Sequence, residues 1–128
     1  MKNIESYQEI IKMNKLILLL IVLNGVLICQ GDAKEVGVAS WYGKELEGEY
    51  MANMKPFNPY RYTCASWNYP LGTKLIVTNL SNNRRIVVEV TDRGPNKRLN
   101  RVIDLSMIAF KQIEDLDKGL TKVKVERL

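Results

Sequence analysis

The sequence of 128 residues contains no histidine. This absence excludes Ser-His-Asp and Cys-His catalytic sets, and it excludes zinc sites built on histidine. The two cysteines, Cys29 and Cys64, are too few to replace histidine in such a site. No glycine-rich phosphate-binding loop is present either. We therefore expect neither a metal ion nor a cofactor.

The sequence also has no apolar run long enough to span a membrane. Its longest run, residues 16–28 (LILLLIVLNGVLI), falls short of the roughly 20 apolar residues that a spanning helix needs. Lys12 and Lys15 precede this run and small residues follow it, an order typical of a secretory signal peptide. We predict a signal peptide over residues 1–33, with Met13 as an alternative start. Cleavage after Ala33 leaves no transmembrane span.

Cys29 raises the alternative of a lipoprotein. Lipidation needs a small residue directly before the cysteine, whereas Ile28 stands there. We therefore favour ordinary cleavage and export to the periplasm or cell envelope, with lipidation at Cys29 as the alternative. Cys64 is then the only thiol of the exported chain, and we interpret it as a small buried apolar residue.

The charge of the chain is basic, with a formal net value of +5. Arg84 and Arg85 form one cluster, and residues 93–101 carry another. A basic surface suits an anionic partner such as nucleic acid, anionic lipid or wall polymer. An exported protein does not normally meet nucleic acid, so we expect a wall polymer and no nucleic acid. Ordinary solvated charge explains Arg84 and Arg85 equally well.

Apolar periodicity after residue 34 predicts a mainly β domain. Ser81, Asn82 and Asn83 are typical of a hairpin loop, because asparagine tolerates positive φ. Apolar residues at helical spacing predict one amphipathic helix over 106–116, capped by Asp104 or Ser106. Short strands with one late helix favour a small closed barrel, and we expect a monomer. The predicted strands are 36–42, 62–67, 74–79, 85–91, 102–105 and 121–127.

One carboxylate stands in an unusual place. Asp92 follows a strongly apolar strand and directly precedes the rigid Arg93-Gly94-Pro95 turn. A carboxylate at a strand end beside such a turn is well placed to face a groove as an acid. Equally, Asp92 can serve only to accept backbone N–H bonds from its own turn. Position alone leaves both interpretations open.

Six segments of the chain resemble the rare lipoprotein A (RlpA) family. They fall in the order and spacing that this family shows, across nearly all of residues 34–128. The resemblance implies a six-stranded double-psi β-barrel with one or two short helices, acting on peptidoglycan glycan strands. The matching segments are ASWYG at 39–43, AN at 52–53, LGT at 71–73, VTNL at 77–80, DRGP at 92–95 and RVIDLS at 101–106.

The resemblance also implies a reaction. Members of the family cut the bond between N-acetylmuramic acid and N-acetylglucosamine without water, leaving a 1,6-anhydro ring. An intramolecular hydroxyl attacks, so one carboxyl group can act first as acid and then as base. Asp92 matches the aspartate of the family's DRGP turn, and the resemblance therefore assigns it this catalytic role.

Two positions depart from the family. Lys55 stands where the family has a glutamate after Asn-Gly, and Ser66 stands where it has a histidine after Ala-Ala. Both family residues belong to its catalytic set. Serine does not titrate near neutral pH, and a lysine close to Asp92 would lower that acid's pKa. The remaining residues expected in the substrate groove are Tyr42, Asn53, Trp67 and Arg93.

Three functions are therefore open. The first is an endolytic lytic transglycosylase active in wall remodelling or septation. The second is a catalytically impaired module that binds glycan without cutting it, as plant expansins with a related barrel do. The third is an inhibitor or partner protein that uses the barrel only as a scaffold. The retained Asp92 favours the first, whereas Lys55 and Ser66 favour the second.

Overall fold

A computed structural model describes residues 34–128 and, before them, Lys12 alone. The predicted signal peptide, its cleavage site and Cys29 therefore lie outside the described residues. Within the described part of the chain, no helix has the length and apolar character needed to cross a bilayer.

Six strands close into a barrel, which confirms the predicted mainly β fold. The strand order around the barrel is β1-β5-β2-β4-β3-β6. The pairs β1–β5 and β2–β4 are parallel, and the other four pairs are antiparallel. The strands are β1 (Glu35–Tyr42), β2 (Thr63–Ala65), β3 (Lys74–Asn79), β4 (Arg85–Asp92), β5 (Arg101–Ser106) and β6 (Leu120–Arg127).

The core follows from the alternation of apolar residues along the strands, since successive side chains of a strand point to opposite faces. Each strand sends its apolar set inward, as Leu75 and Val77 do on β3. Cys64 is fully buried in this core, as predicted. Burial raises the pKa of the Cys64 thiol, and the nearby Glu89 carboxylate adds to that rise. The cysteine is thus a packing residue.

Residues 34–128 contain one α-helix, and it is shorter than predicted. Helix α1 spans Met107–Ile113 and begins where the Ser106 hydroxyl accepts a bond from the Ala109 amide, so Ser106 rather than Asp104 is the cap. It ends at Ile113 because side-chain amides of Asn79 and Asn82 donate to the Ile113 carbonyl at 2.7 and 2.9 Å. The prediction of a helix to residue 116 was wrong, because apolar spacing does not reveal these tertiary caps.

The hairpin loop between β3 and β4 matches its prediction, with Asn83 at a φ of 59°. Strand β2, in contrast, covers only three of the six residues predicted. The chain leaves the sheet after Ser66, whose hydroxyl accepts a bond from the Asn68 amide at 3.3 Å. Such a local side-chain bond favours a turn over continued pairing.

Candidate functional site

Four strands bring two aspartates into one row. Ala65 on β2 pairs with Asp92 on β4 and with Asp104 on β5, and Asp104 pairs in turn with Ser40 on β1. We call these four residues the carboxylate row. Neighbouring strands lie about 4.8 Å apart, so the Cα atoms of the two aspartates stand roughly 10 Å apart.

The carboxylate row lies on the outer face of the barrel. Its sequence neighbours Ala39, Cys64 and Leu105 belong to the buried core. Because side chains alternate along a strand, the row points away from that core. A groove over this face would therefore present two carboxyl groups to a ligand.

Asp92 is held by two backbone amides. Its Oδ1 accepts bonds from the amides of Ala52 at 2.9 Å and Arg93 at 2.8 Å. The bond within its own turn is therefore present, and a second bond ties Asp92 to the long loop 43–62. Both bonds end on Oδ1, and among residues 34–128 no hydrogen bond reaches Oδ2. The carboxyl group is thus oriented while one of its oxygens stays available.

Asp104 is a second carboxyl group that sequence reasoning treated only as a possible helix cap. Its Oδ1 accepts a hydrogen bond from the Ser40 hydroxyl. Burial raises the pKa of Asp104 above its ordinary value, against opposing contributions from that Ser40 bond and from the Arg101 charge. The sequence signal was an acidic residue between inward-facing Ile103 and Leu105, on the outer face of an apolar strand.

Gly94 packs closely over this row. A Cβ atom at Gly94 would lie 3.3 Å from the Ala65 Cβ and 3.8 Å from Asp104 Oδ2. Its φ of 151° also lies in the region that favours glycine. A side chain here would press on Ala65 and would strain the backbone, so the DRGP turn needs glycine at this point.

Tyr42 contributes a buried hydroxyl to the same face. Its ring packs on Phe57 with centroids 4.6 Å apart. Burial raises the pKa of Tyr42, and the Asp92 and Asp104 carboxylates add to the rise. Within residues 34–128 the hydroxyls of Tyr42 and Thr63 are buried without a hydrogen-bond partner. Two polar atoms of the site are thus buried without a partner within residues 34–128.

Two cavities of about 470 Å³ each lie on either side of the carboxylate row along the strand direction. The loop cavity adjoins Thr63, two residues before Ala65 on β2. The tryptophan cavity adjoins Val102, two residues before Asp104 on β5. The loop cavity is lined by Met51, Asn53, Lys55, Pro56, Asn58, Arg61, Thr63, Glu89 and Thr91. The tryptophan cavity is lined by Val36, Gly37, Trp67, Asn68, Pro95, Lys97, Asn100, Arg101 and Val102.

The predicted groove residues are divided between these cavities. Asn53 and Lys55 line the loop cavity, where the Asn53 side chain accepts a bond from the Lys55 amide at 3.0 Å. Trp67 lines the tryptophan cavity. In this structure Lys55 shares its cavity with Glu89, and Asp92 does not line that cavity. The two groups of predicted residues thus flank the aspartates from opposite sides.

Ser66 is buried and Arg93 is half-buried next to Asp92. Ser66 is only 1% exposed, and its amide donates to the Asp92 carbonyl at 3.1 Å. The Arg93 guanidinium donates to the carbonyls of Ser66 at 2.9 Å and Tyr69 at 2.6 Å. These contacts brace the DRGP turn against the chain that leaves β2. Their geometry is that of structural supports for Asp92.

No metal site is apparent in the described part of the chain, where no three His, Cys, Asp or Glu side chains group closely enough to hold an ion. The chemistry that the site offers is that of two carboxyl groups in different environments. Asp104 is partly desolvated, and Asp92 is anchored by amides. Environments that differ in this way are typical of acid and base partners.

Comparison with known proteins identifies the family. Residues 34–125 match the family model described as lytic transglycolase. The chain belongs to this family. Its barrel is the double-psi β-barrel of the RlpA-like proteins, as the sequence resemblance implied.

Relatives named endolytic peptidoglycan transglycosylase RlpA match most of the described chain. The protein of Campylobacter jejuni is 43% identical over 90 residues, covering 70% of this chain and 32% of the relative. That of Rickettsia felis is 41% identical over 97 residues, covering 73% of this chain and 42% of the relative. The matched residues therefore make up less than half the length of these relatives.

Solved structures share the barrel. The Streptomyces papain inhibitor superposes with a TM-score of 0.62 at 25% identity, covering 77% of this chain and 97% of that protein. A variant of the Clavibacter michiganensis expansin, solved in complex with cellohexaose, superposes with a TM-score of 0.58 at 19% identity. That match covers 74% of this chain and 50% of the expansin, and it shows the fold alone.

Proposed function

We propose that this protein binds peptidoglycan glycan strands across the carboxylate row and cleaves them as an endolytic lytic transglycosylase. One observation carries the proposal: Asp92 and Asp104 share a row on the outer face, with a cavity on each side. A polymer crossing the row would occupy both cavities and present an internal bond to the two carboxyl groups. The names of the relatives support this substrate.

The two aspartates suit different steps. Burial favours the protonated form of Asp104, which then donates its proton to the glycosidic oxygen. The C6 hydroxyl of N-acetylmuramic acid attacks its own C1, and the bond from C1 to the N-acetylglucosamine O4 breaks. Asp92 takes the C6 hydroxyl proton through Oδ2. The products are a 1,6-anhydromuramic end and a free 4-hydroxyl group, with no water consumed.

This assignment divides a role that the resemblance gave to Asp92 alone. It also removes the need for the family's glutamate and histidine. Ser66 cannot replace the histidine, because its side chain is buried and engaged with the Asn68 amide. Asp104 supplies a group whose protonation does not depend on either missing residue. Retained cleavage therefore rests on Asp104.

The second candidate is a glycan-binding module that does not cleave. The exposed ammonium of Lys55 favours it, because this cation replaces an acid in the loop cavity next to the row. Under this candidate the same face holds the strand, and Asp104 only orders the β1–β5 pair through Ser40. Binding and cleavage therefore have to be measured separately.

The deciding experiment measures both. Glycan strands stripped of stem peptides are incubated with the protein and with Asp104→Asn and Asp92→Asn variants, and 1,6-anhydromuramic ends are counted by mass spectrometry. We expect each variant to lose about 10² to 10⁴-fold in rate, the range for removal of a general acid or base. Asp117→Asn, an exposed carboxylate after α1, is the matched control and keeps full activity.

If the unaltered protein releases no anhydro ends but still retains the strands in a pull-down, the protein is a binding module instead. A companion variant carries Lys55→Glu together with Ser66→His. If anhydro ends appear only in that variant, the protein is a degenerate enzyme whose catalytic set can be restored.

One observation favours the third candidate, an inhibitor. The Streptomyces papain inhibitor is covered over 97% of its length by this barrel. Papain assayed with the purified protein at micromolar concentration tests it directly. Under the transglycosylase proposal papain keeps its full rate.

We also propose export to the periplasm or cell envelope and a monomeric state. The wall-directed names of the relatives support the location. Fractionation of cells, with mass determination of the exported chain, tests both the location and the predicted cleavage after Ala33. A mass that includes a lipid on Cys29 would identify the lipoprotein alternative.

A further inference from the structure

The tryptophan cavity is built differently from the loop cavity. Trp67 is 48% exposed, although its indole is fixed by a bond from Nε1 to the Pro95 carbonyl at 2.6 Å. An exposed aromatic ring held in one orientation loses little conformational entropy when a ligand packs on it. The ring is therefore a preformed platform beside the DRGP turn.

Two cations stand at this platform. The Lys97 ammonium lies over the Trp67 ring, 4.8 Å from its centroid, and the Arg101 side chain also lines the cavity. Within residues 34–128 neither cation forms a salt bridge. Glu35 Oε1 accepts a bond from the Asn68 side chain at 2.7 Å, and the Arg101 charge acts on the Asp104 carboxyl group. Both cations are thus free of salt bridges within the described residues and can contact an anionic group in the cavity.

The platform is continuous with the carboxylate row. Val102 precedes Asp104 by two residues on the outer face of β5, a distance of about 7 Å. Gly37 faces Val102 without a side chain, and a Cβ atom there would lie 2.4 Å from Val102 Cγ1. Val102 occupies the space above Gly37, so the outer surface is continuous from Asp104 to the tryptophan cavity. A glycan lying over Asp104 would reach the platform with its neighbouring sugar.

We propose that the tryptophan cavity is a subsite selective for a sugar that carries a carboxylate, with Trp67 as the platform and Lys97 and Arg101 as the selecting cations. The inference rests on the proposed function and deepens it. In a peptidoglycan strand the matching group is the lactyl carboxylate of N-acetylmuramic acid. A neutral sugar gains only the contact with the ring, whereas a carboxylate also gains charge-assisted hydrogen bonds.

Occupation of the subsite would also affect the protonation of Asp104. The Arg101 charge opposes the burial that raises the pKa of Asp104. A carboxylate bound at Arg101 would offset that charge, and so it would favour the protonated form of Asp104 further. Occupation of this subsite is thus expected to assist the acid as well as to hold the strand.

The test compares two oligosaccharides of equal length by titration calorimetry. One alternates N-acetylglucosamine with N-acetylmuramic acid bearing free lactyl carboxylates, and the other is the neutral chito-oligosaccharide. All variants carry Asp104→Asn, so that the strand is not turned over. Lys97→Gln removes the stacked cation, and Trp67→Ala removes the platform. Arg84→Gln removes one exposed cation from the β3–β4 loop and is the matched control.

We expect the protein that carries Asp104→Asn alone to bind the carboxylated oligosaccharide about tenfold more tightly than the neutral one. Lys97→Gln should reduce that preference to about threefold, because Arg101 remains, while affinity for the neutral oligosaccharide is unchanged. Trp67→Ala should weaken both by about fivefold to tenfold. Arg84→Gln should change neither affinity.

Two results would overturn the subsite. The first is a loss of preference in Arg84→Gln as large as that in Lys97→Gln, because general charge would then explain it. The second is a protein without preference between the two oligosaccharides. Failure of the proposed function looks different: selective binding would persist, while the unaltered protein would release no anhydro ends.

Discussion

Two regions of this barrel bury polar side chains. The regions differ in whether those side chains have hydrogen-bond partners. At the junction of the β3–β4 hairpin and α1, Asn79 is fully buried and donates to the Ile113 carbonyl at 2.7 Å. Glu114 Oε2 there accepts from Asn79 and Thr121, both at 3.2 Å. On the face of the carboxylate row, the hydroxyls of Tyr42 and Thr63 have no partner within residues 34–128.

The carboxyl groups of the two regions show the same contrast in their pKa values. The amide of Asp115, with support from Asn79 and Lys118, lowers the pKa of Glu114 to about 2. Burial instead raises the pKa of Asp104. A network that satisfies its charged form stabilises the fold, whereas a face that leaves polar groups unpaired is destabilised until a ligand pairs them. The contrast separates structural polar residues from functional ones.

The largest expected effect on stability is at the satisfied junction. Asn79→Ala removes one of the two side-chain donors to the Ile113 carbonyl, leaves the Ser81 amide without its Asn79 partner and opens space in the core. We expect a loss of about 3 kcal/mol in the free energy of unfolding, measured by urea titration. Asn82→Ala, an exposed neighbour that also donates to Ile113, should lose only about 1 kcal/mol. Equal losses in the two variants would contradict the buried network.

A smaller effect depends on pH. The pKa of Asp104 is raised in the folded state, so the protonated group contributes stability below its ordinary pKa, and this contribution disappears as pH rises through the folded pKa. Asp104→Asn does not titrate. The urea midpoint of the unaltered protein should therefore fall relative to that of Asp104→Asn as pH rises from about 4, the ordinary pKa of an aspartate, through the raised pKa of the folded state. Parallel curves would mean that Asp104 is not desolvated.

The smallest expected effect is at the unsatisfied face. Thr63→Val replaces a buried hydroxyl that has no partner by a methyl group of similar size. We expect the free energy of unfolding to stay within about 1 kcal/mol of that of the unaltered protein or to rise. We expect the same of Tyr42→Phe. Retention of glycan strands should fall in both variants, because the ligand loses its partner. A destabilisation as large as that of Asn79→Ala would remove the distinction between the two regions.

The sequence predicted the elements better than the site. Period-two alternation located β3 and β4 to within a residue, because a half-buried strand requires that pattern. The helix was predicted too long, since the amides that end it come from Asn79 and Asn82 on a distant hairpin. Resemblance identified Asp92 but gave Asp104 no site role.

By itself, then, the sequence determined the barrel, the family and the presence of a carboxyl group at the DRGP turn. Tertiary structure decided the neighbours of that group. Strand register sets Asp92 on one side of Ala65 and Asp104 on the other, and the Arg93 guanidinium donates to the Ser66 carbonyl. Alternation along one strand fixes only the face on which a side chain lies. Partners across strands are residues far apart in the chain, so no local pattern records them.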